Sequence, residues 1–249
     1  MQYVEISEYE NIATVMLRRG KVNAFNEEAV DDMQEAFNSL ASRSEIKSVI
    51  FTGHGKFFSF GFDVPELNQL PPEDFKRFLM KFATLYNTIY TFPKPTVAAI
   101  NGHAVAGGCM LSIMFDYRII IPDYAKVSLN EIAIGVPVFA GSIDVLKGLV
   151  GQRNAETILL TGDMYEPPQA LTLGLVDKIT APSMLMEGAR NKAHELGSKR
   201  SPAYSIIKEM IRKPISERYL PLEEPYIEKF LNIWYSEESQ DLLKDVIIR

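Results

Sequence analysis

Three short stretches of this chain carry residue types that would be costly or pointless in plain connections. The first, Gly53-His54-Gly55-Lys56-Phe57-Phe58-Ser59-Phe60-Gly61-Phe62-Asp63, sets three glycines and four phenylalanines directly behind a β-branched run. Glycine there permits left-handed or closely approached backbone, and functional groups favour loops carried on rigid scaffolds; an apolar turn tucked under a helix is the plainer reading. The second, Asn101-Gly102-His103-Ala104-Val105-Ala106-Gly107-Gly108-Cys109-Met110-Leu111, leads small residues into an apolar helix. Paired glycines at a helix start leave N–H groups unpaired and unshielded, a place for developing negative charge, although small residues also serve close packing. The third runs from Ser128 to Pro137. Glu131 is the only ionisable side chain between Ser128 and Ser142 and is flanked by Ile132, Ile134, Val136 and Val138. Desolvation would raise its pKa and prepare it for proton transfer; capping a short helix is the alternative.

Other reactive side chains lack partners in the sequence. His54 and His103 have no visible constellation, and His194 lies in a helix of mixed charge, so turn, core or surface roles suit them better. Cys109 has no nearby histidine to activate it and reads as a small buried apolar residue. Ser59 stands outside a Gly-x-Ser-x-Gly elbow, and Asp116, before Tyr117-Arg118, reads as a structural hydrogen-bonding residue. Three histidines and one cysteine give no metal-ligand spacing.

The elements that must carry these loops follow from periodicity. Val4, Ile6 and then Ile12, Thr14, Val15 and Leu17 form an antiparallel opening pair around an acidic turn. Asn26 is an N-cap for an amphipathic helix over 26–41, with Glu27 and Glu28 in its first turn and Val30, Met33, Phe37 and Leu40 at helical spacing. Buried strands are expected at 48–52, 96–100 and 117–121, with a proline-bounded helix at 72–90 between the first two and a short helix from Gly107. After a last strand at 176–179 the pattern turns helical, over 183–198, 202–212 and 217–246. The class is α/β, with a core over 1–195 and a helical C-terminal region over 196–249. Apolar residues there, among them Phe230, Ile233, Trp234, Leu242 and Val246, need a surface to pack on.

Composition narrows the partners. The chain has 249 residues, 47% hydrophobic and 23% charged, with 26 basic against 32 acidic side chains and a formal charge of −6. This is globular composition, and an acidic chain lacks the field that gathers nucleic acid or anionic lipid. The opening residues alternate apolar and polar, unlike a signal peptide, and apolar runs are broken well short of the roughly 20 residues of a membrane span. A single cysteine fits a reducing compartment, and a cytoplasmic location is expected.

Taken together, the motifs Lys21-Val22-Asn23-Ala24-Phe25-Asn26, Thr52-Gly53 through Phe62-Asp63, Lys94 through Gly102, Ala106-Gly107-Gly108-Cys109, Leu160 through Asp163 and Ala170 through Asp177 resemble the crotonase, or enoyl-CoA hydratase/isomerase, superfamily over nearly the whole chain. The resemblance implies a spiral of ββα units whose terminal helices assemble trimers, often paired into hexamers. It implies a coenzyme A thioester as substrate and no separate cofactor or metal. The thioester carbonyl would be held by the backbone N–H groups of Phe62 and Gly107, with Ser59, Phe60, Gly61, Asp63, Gly108 and Met110 near the substrate. Family hydratases use two glutamates; here the first position is Met110 and the second is Glu131. That pattern, with Leu129-Asn130-Glu131 and the tail Phe230 to Ser236, is similar to mitochondrial-type Δ3,Δ2-enoyl-CoA isomerases. Glu131 would then move a proton from C2 to C4 of a 3-enoyl-CoA. A hydratase, a thioester hydrolase or decarboxylase, and a non-catalytic acyl-CoA-binding subunit are the alternatives.

Overall fold

The computed structural model describes residues 1–244. In chain order the elements are β1 (Val4–Tyr9), β2 (Ile12–Leu17), α1 (Glu27–Ser42), β3 (Ser48–Gly53), β4 (Phe57–Ser59), α2 (Val64–Leu67) and α3 (Pro72–Tyr90). There follow β5 (Thr96–Ile100), β6 (His103–Val105), α4 (Gly107–Ser112), β7 (Tyr117–Ile120), β8 (Val127–Ser128) and a 3₁₀ turn, Glu131–Ile134. The remainder comprises α5 (Ala140–Val150), α6 (Gln152–Thr161), α7 (Pro167–Leu173), β9 (Lys178–Ile179), α8 (Leu185–Gly197), α9 (Ser201–Trp234) and α10 (Glu237–Leu243).

Strands fall alternately into two sheets. The larger has the order β1-β2-β3-β5-β7-β9, antiparallel between β1 and β2 and parallel elsewhere; the smaller is β4-β6-β8, all parallel. Each turn of the chain therefore lays one strand on each sheet, β3 with β4, β5 with β6 and β7 with β8, which is the ββα spiral. Strands β3 and β5 are buried along their whole length, as a parallel sheet covered on both faces requires. The second sheet is not legible in the sequence: its strands have two or three residues, and β4 and β6 sit inside the glycine-rich loops.

Helices α1 and α3 match their periodicity. Asn26 caps α1 by accepting from the Ala29 N–H at 3.0 Å, and Ala29, Val30, Met33, Ala36, Phe37 and Leu40 form its buried stripe. Helix α3 buries Phe75, Phe78, Leu79, Phe82 and Tyr86, and α8 packs across β3, β5 and β7, so the expected boundary at 195 falls within its last turn.

The C-terminal region differs from expectation. In place of two helices broken near Pro214, one 34-residue helix, α9, runs through Pro214, Pro221 and Pro225. Proline removes a backbone hydrogen bond and costs about 3 kcal/mol in a helix interior; here packing on α3 and α5 and side-chain anchors compensate. Lys208 Nζ lies 2.7 Å from Asp116 Oδ2, and Arg212 lies 2.7 Å from Asp116 Oδ1 while donating to the carbonyls of Tyr90 and Met114. Asp116, which also accepts from the Thr96 N–H at 2.8 Å, thus ties α9 to the sheet. Further along α9, buried Glu223 accepts from Tyr86 Oη and from the Gly141 N–H at 2.7 Å, fixing the start of α5. Phe230 and Trp234, expected to need a surface to pack on, find it on their own chain, 3% and 1% exposed. The helix predicted to 246 ends at Trp234, and Ser236 caps the separate α10; Val246 lies outside the described residues.

Candidate active site

The segment 22–25 and the loop after β4 zip together. Asn23, in the left-handed region at φ 52°, donates through Nδ2 to the carbonyls of His54 (2.9 Å) and Phe57 (2.8 Å), while its own carbonyl accepts from Ser59 Oγ at 2.8 Å. Phe25 then forms a parallel bridge with Phe62: its N–H donates to Gly61 O at 2.7 Å and its carbonyl accepts from the Asp63 N–H at 2.9 Å. In such a bridge the central residue turns its own N–H to the other side, so the Phe62 N–H is left out of the pairing. Asp63 is engaged structurally, accepting from Arg19 at 2.6 Å and from the Glu66 N–H that opens α2.

The second loop meets the first at two glycines. Gly61 sits at φ 85°, and a β-carbon on it would stand 2.8 Å from the Gly107 nitrogen; one on Gly108 would stand 2.3 Å from Ser59 O. Only glycine lets the β4 loop and the start of α4 approach this closely. Ala106, just before α4, holds φ 50° and ψ −125°, a conformation that costs an alanine on the order of 1–3 kcal/mol and is typical of functional turns. As the first residue of α4, Gly107 has no intrahelical acceptor for its N–H.

The third loop completes a pocket. Its lining is Phe60, Phe62, Val64, Val105, Ala106, Gly107, Met110, Asn130, Glu131, Ile134, Val136, Phe230 and Trp234, enclosing about 90 Å³. Glu131 is 4% exposed, and neither carboxyl oxygen has a hydrogen-bond partner. It therefore does not cap the 3₁₀ turn it opens. Desolvation pushes its pKa up to about 8. It is the only titratable side chain lining the pocket among the described residues.

Of the residues singled out from sequence, Phe60, Phe62, Gly107, Met110 and Glu131 line one cavity; Gly61 and Gly108 set the approach of its walls, and Ser59 and Asp63 lie behind it in the hydrogen bonds described. Cys109 is fully buried, and desolvation drives its thiol well above the usual range. His103 stands between Phe57 and Tyr124, ring centroids 5.1 and 5.9 Å away, outside the lining. The pocket takes Phe230 and Trp234 from α9, whereas α3 contributes only support: Phe78 and Phe82 pack edge-on against Phe62, centroids 5.0 and 4.9 Å away. Asn23 and Asn130 carry no role of their own in the sequence reading beyond their motifs; for Asn23, at φ 52°, an asparagine beside an apolar bend is a signal for left-handed backbone. Among the described residues no group of three or more His, Cys, Asp or Glu could hold a metal ion, and no helix is long and apolar enough to cross a membrane.

Residues 7–238 match the family model for enoyl-CoA hydratase/isomerase. The chain belongs to the enoyl-CoA hydratase/isomerase family. Within this family, part of the crotonase superfamily, it is 33% identical over 192 residues to a putative enoyl-CoA hydratase of Thermus thermophilus, covering 76% of this chain and 75% of that protein. It is 29% identical over 204 residues to a short-chain-enoyl-CoA hydratase of Clostridium acetobutylicum, covering 81% and 78%. In fold it is similar to human mitochondrial Δ3,Δ2-enoyl-CoA isomerase, with TM-score 0.93, 24% identity and 98% and 96% of the two chains covered. It is also similar in fold to an enoyl-CoA hydratase from Bacillus halodurans, with TM-score 0.90, 24% identity and coverage of 98% and 100%.

Proposed function

We propose that this family member is an isomerase that converts a 3-enoyl-CoA into the 2-trans-enoyl-CoA, with Glu131 as the proton carrier and no cofactor beyond the coenzyme A of its substrate. The observation that carries the reading is that, among the described residues, Glu131 is the one titratable group lining the pocket, with Met110 at the position where family hydratases hold a second glutamate. Adding water requires one group to accept its proton and another to protonate carbon. Moving a double bond requires one base that takes a proton and returns it two carbons away.

The thioester carbonyl oxygen accepts from the Phe62 and Gly107 N–H groups, which acidifies C2. Glu131, as carboxylate, removes a C2 proton; the negative charge passes onto the oxygen of a dienolate, where each preorganised donor is worth about 3 to 4 kcal/mol. Protonated Glu131 then delivers the proton to C4 and the double bond comes to rest between C2 and C3. A base desolvated to a pKa of about 8 is stronger than an exposed carboxylate, and the apolar wall of Val64, Ile134, Val136 and Phe230 keeps water from the dienolate. Phe60 and Met110 contact the substrate, and Ser59, Gly61, Asp63 and Gly108 shape the strand and loop along which it lies.

The hydratase reading draws on the Thermus and Clostridium relatives, a putative enoyl-CoA hydratase and a short-chain-enoyl-CoA hydratase. Incubating the purified protein with 3-enoyl-CoA and with 2-enoyl-CoA, and identifying the products, separates the two: the isomerase forms 2-trans-enoyl-CoA from the first and little 3-hydroxyacyl-CoA from the second. For assembly we infer a trimer or a dimer of trimers, supported by the apolar stripe Ile206, Ile207, Met210 and Ile211, 57 to 71% exposed on α9.

A further inference from the structure

Two residues one turn apart on α9, Phe230 and Trp234, line the pocket. Behind them lies packed aromatic core: the Trp234 ring centroid is 4.7 Å from that of Phe75 and 5.6 Å from that of Phe230, and Phe75 stacks on Phe78 at 6.1 Å. The indole is also pinned. Its Nε1 donates to Asn68 Oδ1 at 2.9 Å, and that oxygen accepts a second bond, 2.8 Å, from Gln240 Nε2 on α10. Asn68 Nδ2 donates in return to Gln240 Oε1 at 3.2 Å, Gln240 Nε2 also donates to Trp234 O at 2.9 Å, and the neighbouring Tyr235 Oη donates to Leu70 O at 2.7 Å. Asn68, just after α2, thus holds the ring, Gln240 of α10 holds Asn68 and the Trp234 carbonyl in turn, and turning the indole aside would break a hydrogen bond in a site only 1% exposed.

We infer that Trp234, positioned by Asn68, is the wall that sets acyl length, and that this protein selects short, unbranched, apolar acyl-CoA thioesters of butyryl to hexanoyl length. The inference rests on the acyl-CoA reading above but not on which reaction follows. With the carbonyl at Phe62 and Gly107 and C2 beside Glu131, the tail runs along Val64, Ile134 and Val136 to the indole; among the described residues Glu131 and Asn130 are the only charged or amide side chains lining the pocket. A longer tail has a different route open to it. Val136 also borders an open groove on the outer side of the Glu131 turn, with Ile132, Pro137, Leu159, Leu160 and Ile233.

The test is calorimetric binding of saturated butyryl-, hexanoyl-, octanoyl- and decanoyl-CoA, which do not react, to the wild type and to Trp234→Leu, Trp234→Phe and Asn68→Ala, with free coenzyme A as the reference ligand. For the wild type, affinity rises to hexanoyl-CoA and falls at least tenfold by decanoyl-CoA. In Trp234→Leu the optimum moves to octanoyl- or decanoyl-CoA, each methylene that finds room gaining about fourfold, while coenzyme A itself binds as before. Asn68→Ala moves the optimum in the same direction by less, a shift in length preference that a merely structural role would not produce. If Trp234→Leu does not fold, Trp234→Phe and Asn68→Ala decide. An unbroken rise through decanoyl-CoA in the wild type, the sign of passage into the outer groove, overturns the inference, as does an unchanged length profile in folded variants. Failure of the wild type to bind any of the four thioesters overturns the acyl-CoA reading itself.

Discussion

Phe62 and Gly107 stand so close that a β-carbon on Gly107 would lie 3.1 Å from the Phe62 ring. Two loops from different turns of the spiral thereby bring two unpaired backbone donors to one wall of the cavity that Glu131 enters from a third loop. The chemistry proposed here depends on that convergence, because a backbone donor has no side chain to adjust its reach.

Gly61 enforces the approach. Gly61→Ala would thrust a methyl group to 2.8 Å from the Gly107 nitrogen at a backbone φ of 85°. Turnover should fall roughly 10²- to 10³-fold, the effect of losing one oxyanion donor, with about 1–2 kcal/mol of lost stability from the left-handed alanine. Steady-state rates and a thermal melt on one sample check both. Gly107→Pro removes the donor outright, but proline drives its predecessor to extended backbone, and Ala106 sits at φ 50°, so Gly61→Ala is the cleaner probe.

The buried carboxyl of Glu131 predicts two opposite pH trends. Its pKa is about 8 in the folded chain against 4.5 in the unfolded one, so between these values the native state holds more protons and stability falls as pH rises. Glu131→Gln removes that loss: its stability advantage over the wild type should be absent below pH ~4.5 and grow toward pH ~8. Catalysis needs the carboxylate, so wild-type kcat/KM should climb with pH and level off above ~8. Denaturation curves and rate profiles across this range are the measurements.

Met110 is 1% exposed and lines the same cavity. Met110→Glu restores a second acid, and hydration of 2-enoyl-CoA, followed as loss of the conjugated absorbance, should rise above the wild-type level. The newly buried acid should lower stability by about 1–3 kcal/mol. No gain of hydration in a folded variant would show that the side chain at 110 does not limit water addition.

Assembly has its own probe. Met210 is 71% exposed at the centre of the α9 stripe, and sedimentation at micromolar concentration should find a trimer or hexamer that Met210→Arg reduces to monomer. A wild type that sediments as monomer contradicts the assignment.

Local rules made α1, α3 and the strands β3, β5 and β7 readable, because each has a period, a cap or a proline boundary of its own. Glu131 stood out for a similar reason: one charge in an apolar stretch has little else to do. The second sheet escaped because two- and three-residue strands have no measurable alternation, and pairings such as Phe57 with His103 are decided by the spiral. Helix α9 was read as broken at Pro214, since sequence shows what proline costs but not the Asp116, Lys208 and Arg212 contacts that offset it. For the same reason the surface that covers Phe230 and Trp234 stays open in the sequence: an apolar residue on a terminal helix declares that it will be buried, but not against what.

The central claim is that Glu131 carries the proton, and Glu131→Gln tests it most directly, since the amide keeps the size of the side chain but cannot take the C2 proton. Turnover of 3-enoyl-CoA and the dissociation constant of a saturated acyl-CoA are to be measured on the same preparation. The account predicts a loss of kcat of about 10²- to 10⁴-fold with affinity changed by less than about threefold. A folded Glu131→Gln protein that isomerises at near the wild-type rate would contradict it.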